Sequence, residues 1–540
     1  MPFIAWIITM VFTAENLYPY FVGLWQTPSG AVFLGTVHHP SDYFYYVSQF
    51  AQGATRWITT LDLYTAESIG PTFVGWSNVF LGHILALFGT NPFQSYHISI
   101  ALLCIALFFA AFHLSKEVLG SNRLAVISLF LFGIYHAFPI LRDGLPSYGD
   151  YFNNFAVPRV RFGAVPHQLL LAVASISLSF IMLRWHRQKN RSIRLLMGIV
   201  ISSIILASLQ PALWIVIIGI FGVTSTMYAL SKKDKSEILN TFIFPIFIAG
   251  LAGILPILYL SNLFDSLPFI QLRTWEASQQ TRFTIGHFIS ATGPIFIGAI
   301  ASIPWFLVQR SYTQVYVVLF TMISYVLFLS PIPAMLNLSH VRFMSTLAIL
   351  YLCIITTVGI EKLSEILAYY LHKAFPQTRR FQARHVTLFT VILLTIYLIP
   401  NHLLTIKLAS EFSPTNAYHY LARNEYEFLL KTSNTSDPAD IFLVIWPYNS
   451  VFPAITGRKS FHGHSLLTIN TIQKDAQAIQ FFDNKMNDEQ ARAFLRDNRI
   501  TQVIAYSWTT LPKGLMIHTA TGGSLSLFAV NQEHLKPYSK

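Results

Sequence analysis

Residues 195–230 read LLMGIVISSIILASLQPALWIVIIGIFGVTSTMYAL and contain no charged side chain. A helix needs about 20 apolar residues to cross the ~30 Å hydrocarbon core of a bilayer, so this stretch is too long for one crossing. Pro211 interrupts it directly after Gln210, and a proline removes one backbone hydrogen-bond donor. The stretch therefore predicts two membrane-spanning helices joined by a tight turn.

Comparable apolar segments recur on both sides of this stretch. With the two just described, they cover 3–20, 71–89, 97–115, 123–140, 167–183, 195–209, 211–230, 238–263, 285–308, 315–333, 344–360 and 386–402. Hydrophobic residues make up 53% of the 540 residues and charged residues only 11%, whereas soluble domains carry about 25% charged residues. This composition excludes a cytosolic enzyme, a disordered protein and an ordinary nucleic-acid binder. It predicts an α-helical polytopic membrane protein with about 11–12 spans.

The net charge of +12 comes from short basic clusters between the apolar segments, at 184–194, 232–235 and 362–384. Basic loops of this kind lie on the cytoplasmic side of a membrane. The loops 21–70, 141–166, 264–284 and 332–343 are then predicted to lie on the opposite, external side. This orientation requires that one segment before residue 140 does not cross the membrane. The best candidate is 71–89, which is broken by proline, glycine and asparagine.

The last 138 residues have a different composition, because they hold 11 of the 24 acidic residues. The pattern there gives an apolar run at Ile441–Trp446, helical stretches at Ala476–Phe482 and Asp488–Arg496, and strand-like runs at Gln502–Tyr506 and Ser524–Val530. We therefore predict a membrane domain over 1–402 and a small extracytoplasmic α/β domain over 403–540.

Asp42 is the first candidate for chemistry, in the segment VHHPSDYFYY at 37–46. Ser41 or Asp42 is expected to cap a helix that begins here. The carboxylate would then accept a proton from a hydroxyl group, and His38, His39 and Tyr46 would contact a sugar. A simple helix cap is the alternative. A metal site of His38, His39 and Asp42 is disfavoured because adjacent histidines in an extended segment point to opposite sides.

Two further external loops carry candidate ligands. Loop 141–166 contains Asp143, Asp150, Arg159 and Arg161, which could hold a sugar, a divalent ion or a phosphate, or could be solvated ion pairs. His340 and Arg342 precede the span 344–360, where an arginine either reaches lipid headgroups or binds a phosphate. Glu67 in loop 21–70 is a secondary candidate for substrate binding.

This arrangement resembles the GT-C fold of integral-membrane glycosyltransferases, which use polyprenyl-phosphate sugars and include the protein mannosyltransferases and the aminoarabinose transferase. The resemblance rests on an external loop with Asp42 before an aromatic helix, a many-span core and an external C-terminal domain. It implies that Asp42 is the catalytic base or positions the acceptor, that Asp143 or Asp150 is the second loop acid, and that Arg342 binds the donor phosphate. Many members carry paired acids in the first loop, whereas Asp42 lies between Ser41 and Tyr43.

The resemblance implies an inverting glycosyltransferase in the plasma membrane, expected to be bacterial. Its partners would be a polyprenyl-phosphate-sugar donor, membrane lipid and an acceptor glycan, lipid or protein, without nucleic acid. No cofactor is certain, and a divalent metal such as Mg²⁺ or Mn²⁺ stays open. The competing hypothesis is a transporter or an export protein for lipid or polysaccharide, which would place ionisable groups near the bilayer midplane. Charged residues collect in the loops instead.

Overall fold

The computed structural model describes residues 1–138, 140–142, 145–147, 165–188, 192–230, 234–280, 284–375, 382–512 and 514–535. The helices are α1 Phe3–Trp25, α2 Pro40–Gln52, α3 Trp76–Ala86, α4 Pro92–Leu119, α5 Asn122–Ile134, α6 Pro166–Arg187, α7 Ile193–Leu209, α8 Pro211–Ala229, α9 Lys235–Ile238, α10 Phe244–Leu263, α11 Phe269–Ser278, α12 Ile285–Phe306, α13 Tyr312–Leu329, α14 Ile332–Met335, α15 Thr346–Ala374, α16 Ala383–Ala409, α17 Arg423–Thr435, α18 Tyr448–Thr456, α19 Thr471–Phe482 and α20 Asp488–Asp497. A π-helical turn, Leu239–Ile243, joins α9 to α10, and 3₁₀ turns lie at His340–Phe343 and Gln532–Leu535.

The strands are short. They are β1 Ala31–Phe33, β2 Ile140–Arg142, β3 Leu145–Ser147, β4 Tyr420–Ala422, β5 Ile441–Val444, β6 Lys459–Ser460, β7 Gln502–Tyr506, β8 Met516–Gly522 and β9 Leu525–Val530. Most of the described chain is therefore helical, and the larger sheet lies in the C-terminal part.

Eight helices of the described chain are long and apolar enough to cross a membrane. They are Pro92–Leu119, Pro166–Arg187, Pro211–Ala229, Ser236–Leu263, Phe288–Phe306, Tyr312–Leu329, Thr346–Ala374 and Ala383–Ala409. Asn122–Ile134 and Ile193–Leu209 are apolar but shorter. The predicted class, an α-helical polytopic membrane protein, is confirmed. Gln210 separates α7 from α8, as the proline at 211 predicted.

Helix α3 lies within 71–89, the segment predicted as the best candidate for one that does not cross the membrane. It has 11 residues, which at 1.5 Å per residue gives a length of about 16 Å, roughly half the thickness of the hydrocarbon core. Helix α1 is longer, with 23 residues, but it carries Pro19 in its interior. It also carries Glu15, and it is not among the eight apolar helices. The predicted count of about 11–12 spans included the segments 3–20 and 71–89, which correspond to α1 and α3.

The described chain divides into two compact units. The first unit consists of Met1–Asn16, Ile100–Phe264 and Glu276–Leu408. Its central helix is α15, whose residues from Leu347 to Ile355 are almost completely buried. This helix packs against α12, α5 and α13. Apolar residues on every side of α15 explain its central place, because a helix that is hydrophobic all round must be enclosed by other helices or lipid.

The second unit consists of Leu17–Ser99, Asp265–Trp275 and Ala409–Lys540. Its five-stranded sheet has the order β6-β5-β7-β9-β8, with parallel pairing of β5 to β6 and β7 and antiparallel pairing of β9 to β7 and β8. Leu443 and Val503 from the sheet pack with Phe481 and Phe494 from helices α19 and α20. The predicted strand Gln502–Tyr506 and both predicted helices of this region are present.

The second unit also contains the segment that the sequence placed in the external loop 21–70. Strand β1 pairs with β4, so that Val32 lies opposite Leu421, and helix α2 packs against α18 and α3. The predicted division at residue 402/403 stays a prediction. The compact units instead join Leu17–Ser99 to the C-terminal α/β region, because β1 and α2 find their partners there.

Candidate functional site

The candidate site is built on the first turn of α2, in the second unit. The helix begins at Pro40 and its N-cap residue is His39, which makes no side-chain capping bond. The expectation that Ser41 or Asp42 caps the helix is therefore wrong. Proline is suited to the first helical position because its φ is fixed and its missing N–H would have no partner there. Asp42 consequently lies inside the first turn, where a negative charge is stabilised by the helix dipole.

Helix α2 buries one face and presents another. Tyr43, Phe44 and Val47 are fully buried, whereas the side chain of Asp42 is 52% exposed. This spacing is typical of an amphipathic helix, whose apolar residues share one side. The helix thus holds the Asp42 carboxylate at the edge of a packed aromatic layer, where it stays accessible.

His38 belongs to that aromatic layer. Its Nε2 lies 2.8 Å from the hydroxyl oxygen of Tyr96, and its ring contacts those of Tyr43 and Tyr46. Burial and the nearby His39 lower the pKa of His38 to about 3, so the ring is neutral. His39 is exposed, so the adjacent histidines differ in surroundings. Within the described residues, no three His, Cys, Asp or Glu side chains are grouped to hold a metal ion.

The carboxyl group of Asp42 has an unusual electrostatic setting. The surrounding protein displaces water and raises its pKa above the usual value, while the charge of His39 acts in the opposite direction. A carboxylate with a raised pKa is a stronger base than one in water. Asp42 is thus accessible and more basic than an ordinary aspartate.

His464 is a neighbour of Asp42 that the sequence did not identify. Its Nε2 lies 3.9 Å from Oδ1 of Asp42, and its side chain is 3% exposed. The rings of Tyr45 and Tyr64 meet its imidazole edge-on, with centroids 5.5 and 5.8 Å away. The glycine-rich basic turn at 457–464 is visible in the sequence. No local pattern connects this turn to α2, because the contact joins distant parts of the chain.

Glu67 lies in a second polar group of the same unit. Lys474 donates a hydrogen bond of 2.6 Å to Oε2 of Glu67, and Thr65 donates to the same oxygen. Burial acts to raise the pKa of Glu67, but these hydrogen bonds outweigh it and hold the pKa below its usual value. Lys459 donates to the backbone oxygen of Glu67 at 2.8 Å. Glu67 is thus a charged member of an ion pair.

Asp62 is buried beside that ion pair. Its Oδ1 accepts a hydrogen bond of 2.9 Å from the backbone N–H of Tyr64. Its Oδ2 is buried and has no hydrogen-bond partner among the described residues. Burial raises the pKa of Asp62 to about 7, although Lys459 and Lys474 act against the shift. The sequence showed this acid in loop 21–70 but could not show that it is enclosed.

Arg342 belongs to the first unit and forms a bidentate ion pair. Its Nε donates to Oε1 of Glu276 at 2.6 Å and its Nη2 donates to Oε2 at 2.9 Å. Nδ1 of His340 lies 3.3 Å from Oε1 of Gln280. The two loops that the charge pattern placed on one side, 264–284 and 332–343, therefore meet. The pair itself was not predicted. The candidates Asp143, Asp150, Arg159 and Arg161 lie outside the described residues.

No protein-family model matches the sequence, and no curated protein matches it significantly. Solved structures do resemble the chain. The archaeal oligosaccharyltransferase AglB from Archaeoglobus fulgidus, in complex with an inhibitory peptide and a dolichol-phosphate, is 12% identical with a TM-score of 0.53. The similarity covers 99% of this chain and 75% of that one.

Two further solved structures also resemble the chain. ArnT from Cupriavidus metallidurans, bound to undecaprenyl phosphate, is 12% identical with a TM-score of 0.51, and 98% of each chain is covered. The arabinofuranosyltransferase AftD from Mycobacteria is 12% identical with a TM-score of 0.53, and the similarity covers 97% of this chain and 40% of that one. The chain therefore has the GT-C fold of integral-membrane glycosyltransferases.

Proposed function

We propose that this chain is a membrane glycosyltransferase that moves a sugar from a polyprenyl-phosphate donor to an acceptor on the outer face of the membrane. The observation that carries the proposal is the accessible Asp42 carboxylate, which lies in the first turn of α2 and has a raised pKa. The GT-C fold adds support, because the similar AglB and ArnT structures hold dolichol-phosphate and undecaprenyl phosphate.

In the proposed reaction Asp42 is the base. An acceptor hydroxyl attacks the anomeric carbon of the donor sugar, its proton passes to the Asp42 carboxylate, and the bond from that carbon to the phosphate oxygen breaks. Polyprenyl phosphate leaves with the bonding electrons, and the configuration at the anomeric carbon inverts. A base with a raised pKa suits this step, because it takes the proton more readily as the new bond forms.

The proposed roles of the other candidates follow from their chemistry. Arg342 is the proposed ligand of the donor phosphate, since guanidinium groups bind phosphate oxygens in a bidentate way. Glu276 occupies its Nε and Nη2 and would fix the orientation of the guanidinium. Asp143 and Asp150 are proposed as second-loop acids, Arg159 and Arg161 as further phosphate or sugar ligands, and His38, His39, Tyr46, Glu67 and His340 as contributors to substrate binding.

Replacing Asp42 tests the proposal. Purified full-length protein is reconstituted into vesicles that contain radiolabelled undecaprenyl-phosphate sugars, and membrane extract supplies the acceptors. The Asp42→Asn variant keeps the size of the side chain and removes its basicity, so it should lose transfer while its thermal unfolding stays at the wild-type temperature. Wild-type transfer rates in the Asp42→Asn variant would exclude Asp42 as the base.

A further inference from the structure

The turn that carries His464 is held rigidly in the second unit. The backbone N–H groups of Gly463 and His464 both donate to Oγ1 of Thr468 at 3.2 Å, and this hydroxyl donates to the backbone oxygen of Tyr64 at 2.7 Å. Gly463 has a φ of 150°, and a Cβ atom there would lie 2.4 Å from the carbonyl oxygen of Asn449. A side chain at 463 would therefore push the turn away from α18.

The hydrogen bonds of the turn determine which nitrogen of His464 carries the proton. The backbone N–H groups of Leu466 and Leu467 donate to Nδ1 at 3.1 and 3.2 Å. An acceptor nitrogen carries no hydrogen, so the neutral ring has its hydrogen on Nε2. Burial and the nearby His39 lower the pKa of His464 to about 4, and the ring is therefore neutral at pH 7.

The Nε2 atom of His464 lies close to Asp42. Nε2 is buried and makes no hydrogen bond within the described residues, and Oδ1 of Asp42 lies 3.9 Å from it. This distance exceeds a hydrogen bond by about 1 Å. Hydrogen bonds between catalytic groups are often long in the absence of substrate and shorten in the substrate complex. Closing the gap requires Oδ1 of the half-exposed Asp42 side chain to move about 1 Å toward Nε2.

We propose that His464 is a positioning residue for Asp42, whose charged carboxylate receives the Nε2–H on one oxygen and keeps the other oxygen for the acceptor hydroxyl. The proposal rests on the proposed function, in which Asp42 takes a proton. The buried ring would also stabilise the charged form of Asp42 and so oppose the effect of burial. A base held this way stays ionised at neutral pH and faces the acceptor in one orientation.

Other titratable groups surround Asp42 and must be considered with His464. His39 acts on its charge from the start of α2. Tyr45 of α2 and Tyr96 of α4 are close enough to interact with that charge. None of these three side chains is altered when His464 alone is replaced, but Tyr45 also contacts the His464 ring, so a substitution that keeps an aromatic ring there is needed as well.

The pH at which Asp42 ionises can be measured without any substrate. Full-length protein in detergent is labelled with a water-soluble carbodiimide and glycine ethyl ester, and the modification of Asp42 is followed by peptide mass spectrometry against pH. The side chain in His464→Asn keeps a hydrogen-bond acceptor for the turn but is too short to reach Asp42. The midpoint, which is the pH at which half of the Asp42 carboxyl groups are protonated and open to modification, should therefore rise by about half a unit to one unit. His464→Gln restores an N–H near the position of Nε2 and should return the midpoint toward wild type.

His462→Asn is the matched control. His462 lies two residues before His464 and is also buried, but its Nδ1 lies 2.6 Å from Oδ1 of Asp475. This variant should leave the midpoint of Asp42 unchanged. His464→Phe, which keeps an aromatic ring against Tyr45 and Tyr64, is the second test variant if His464→Asn does not fold. A wild-type midpoint in a folded His464 variant without the donor would overturn the proposal.

The two proposals fail separately. The labelling involves no sugar transfer, so an unchanged midpoint together with an inactive Asp42→Asn variant removes only the role of His464. Wild-type transfer by Asp42→Asn removes the role of Asp42 as a base, and with it the purpose of positioning it, whatever the midpoint. A midpoint that rises in His464→Asn and returns in His464→Gln supports the coupling of the two side chains.

Discussion

Two regions of the second unit use carboxylates in opposite ways. In the first turn of α2, Asp42 is 52% exposed and lies 3.9 Å from Nε2 of His464, which is neutral at pH 7. In the Asp62–Glu67 segment, Glu67 forms an ion pair with Lys474, and Asp62 is buried with one oxygen that accepts no hydrogen bond from the part of the chain that the structure describes. A carboxylate that takes a proton from a substrate hydroxyl must be both accessible to the substrate and basic. The comparison therefore favours Asp42 over Asp62 and Glu67 as the base.

The strongest test of this difference compares two amide substitutions that change one atom each. Asp42→Asn should lower the rate of sugar transfer by about 10²–10⁴-fold, which is the usual contribution of a general base. Asp62→Asn should retain transfer within about threefold, because Asp62 is enclosed. Rates measured in the same vesicles give the ratio, and equal losses in the two variants would contradict the distinction.

The Lys474–Glu67 ion pair should matter for stability. Lys474 has a 6% exposed side chain and Glu67 a 41% exposed one. Lys474→Met removes the cation that pairs with Glu67 and lies near Asp62. The free energy of unfolding should therefore fall by about 2 kcal/mol. Thermal unfolding of the purified protein measures the change. Unaltered stability would mean that the pair contributes nothing.

The matched control for this variant is Lys485→Met. Lys485 pairs with Asp483 at 2.7 Å, but the two side chains are 66% and 47% exposed. Because water screens such a pair, its loss should change stability by less than about 0.5 kcal/mol. This is the smallest of the stability effects, and a loss as large as that of Lys474→Met would show that burial does not distinguish the two pairs.

Asp62 should make stability depend on pH. Its pKa is about 7 in the folded chain against an ordinary value of 3.8, so the folded chain binds more protons than the unfolded chain between these values. Stability from this group is therefore full at low pH and is lost as pH rises toward 7 and above. Asp62→Asn cannot ionise, so it should lack this slope and exceed wild type at pH 8 by about 1–3 kcal/mol. Parallel stability curves from pH 4 to 8 would contradict the assignment.

The sequence predicted the parts of the fold that depend on local pattern. Long apolar runs located the membrane helices, and Pro211 located the break between α7 and α8. Alternation of apolar residues located the strand Gln502–Tyr506. The start of α2 was misplaced, because Ser41 and Asp42 are good capping residues but Pro40 had already set the first helical position.

The candidate site was predicted only in part. Asp42 was visible because an acid before an aromatic helix is unusual in such an apolar chain. His464 and the Glu276–Arg342 pair were not visible, because each contact joins segments that are far apart in the sequence. Burial of Asp62 was equally hidden, since its own neighbours give no sign that residues near 460 and 474 enclose it. Tertiary contacts, not local pattern, determine these features.

The central claim is that sugar transfer consumes a polyprenyl-phosphate donor, and counting products tests it most directly. Vesicles with purified protein receive an undecaprenyl-phosphate sugar in which the sugar carries one isotope label and the undecaprenyl chain carries another. One undecaprenyl phosphate should be released for each sugar that reaches the acceptor, and Asp42→Asn should release neither product above background. Sugar transfer without release of lipid phosphate, or movement of the intact donor across the vesicle membrane without transfer, would contradict it.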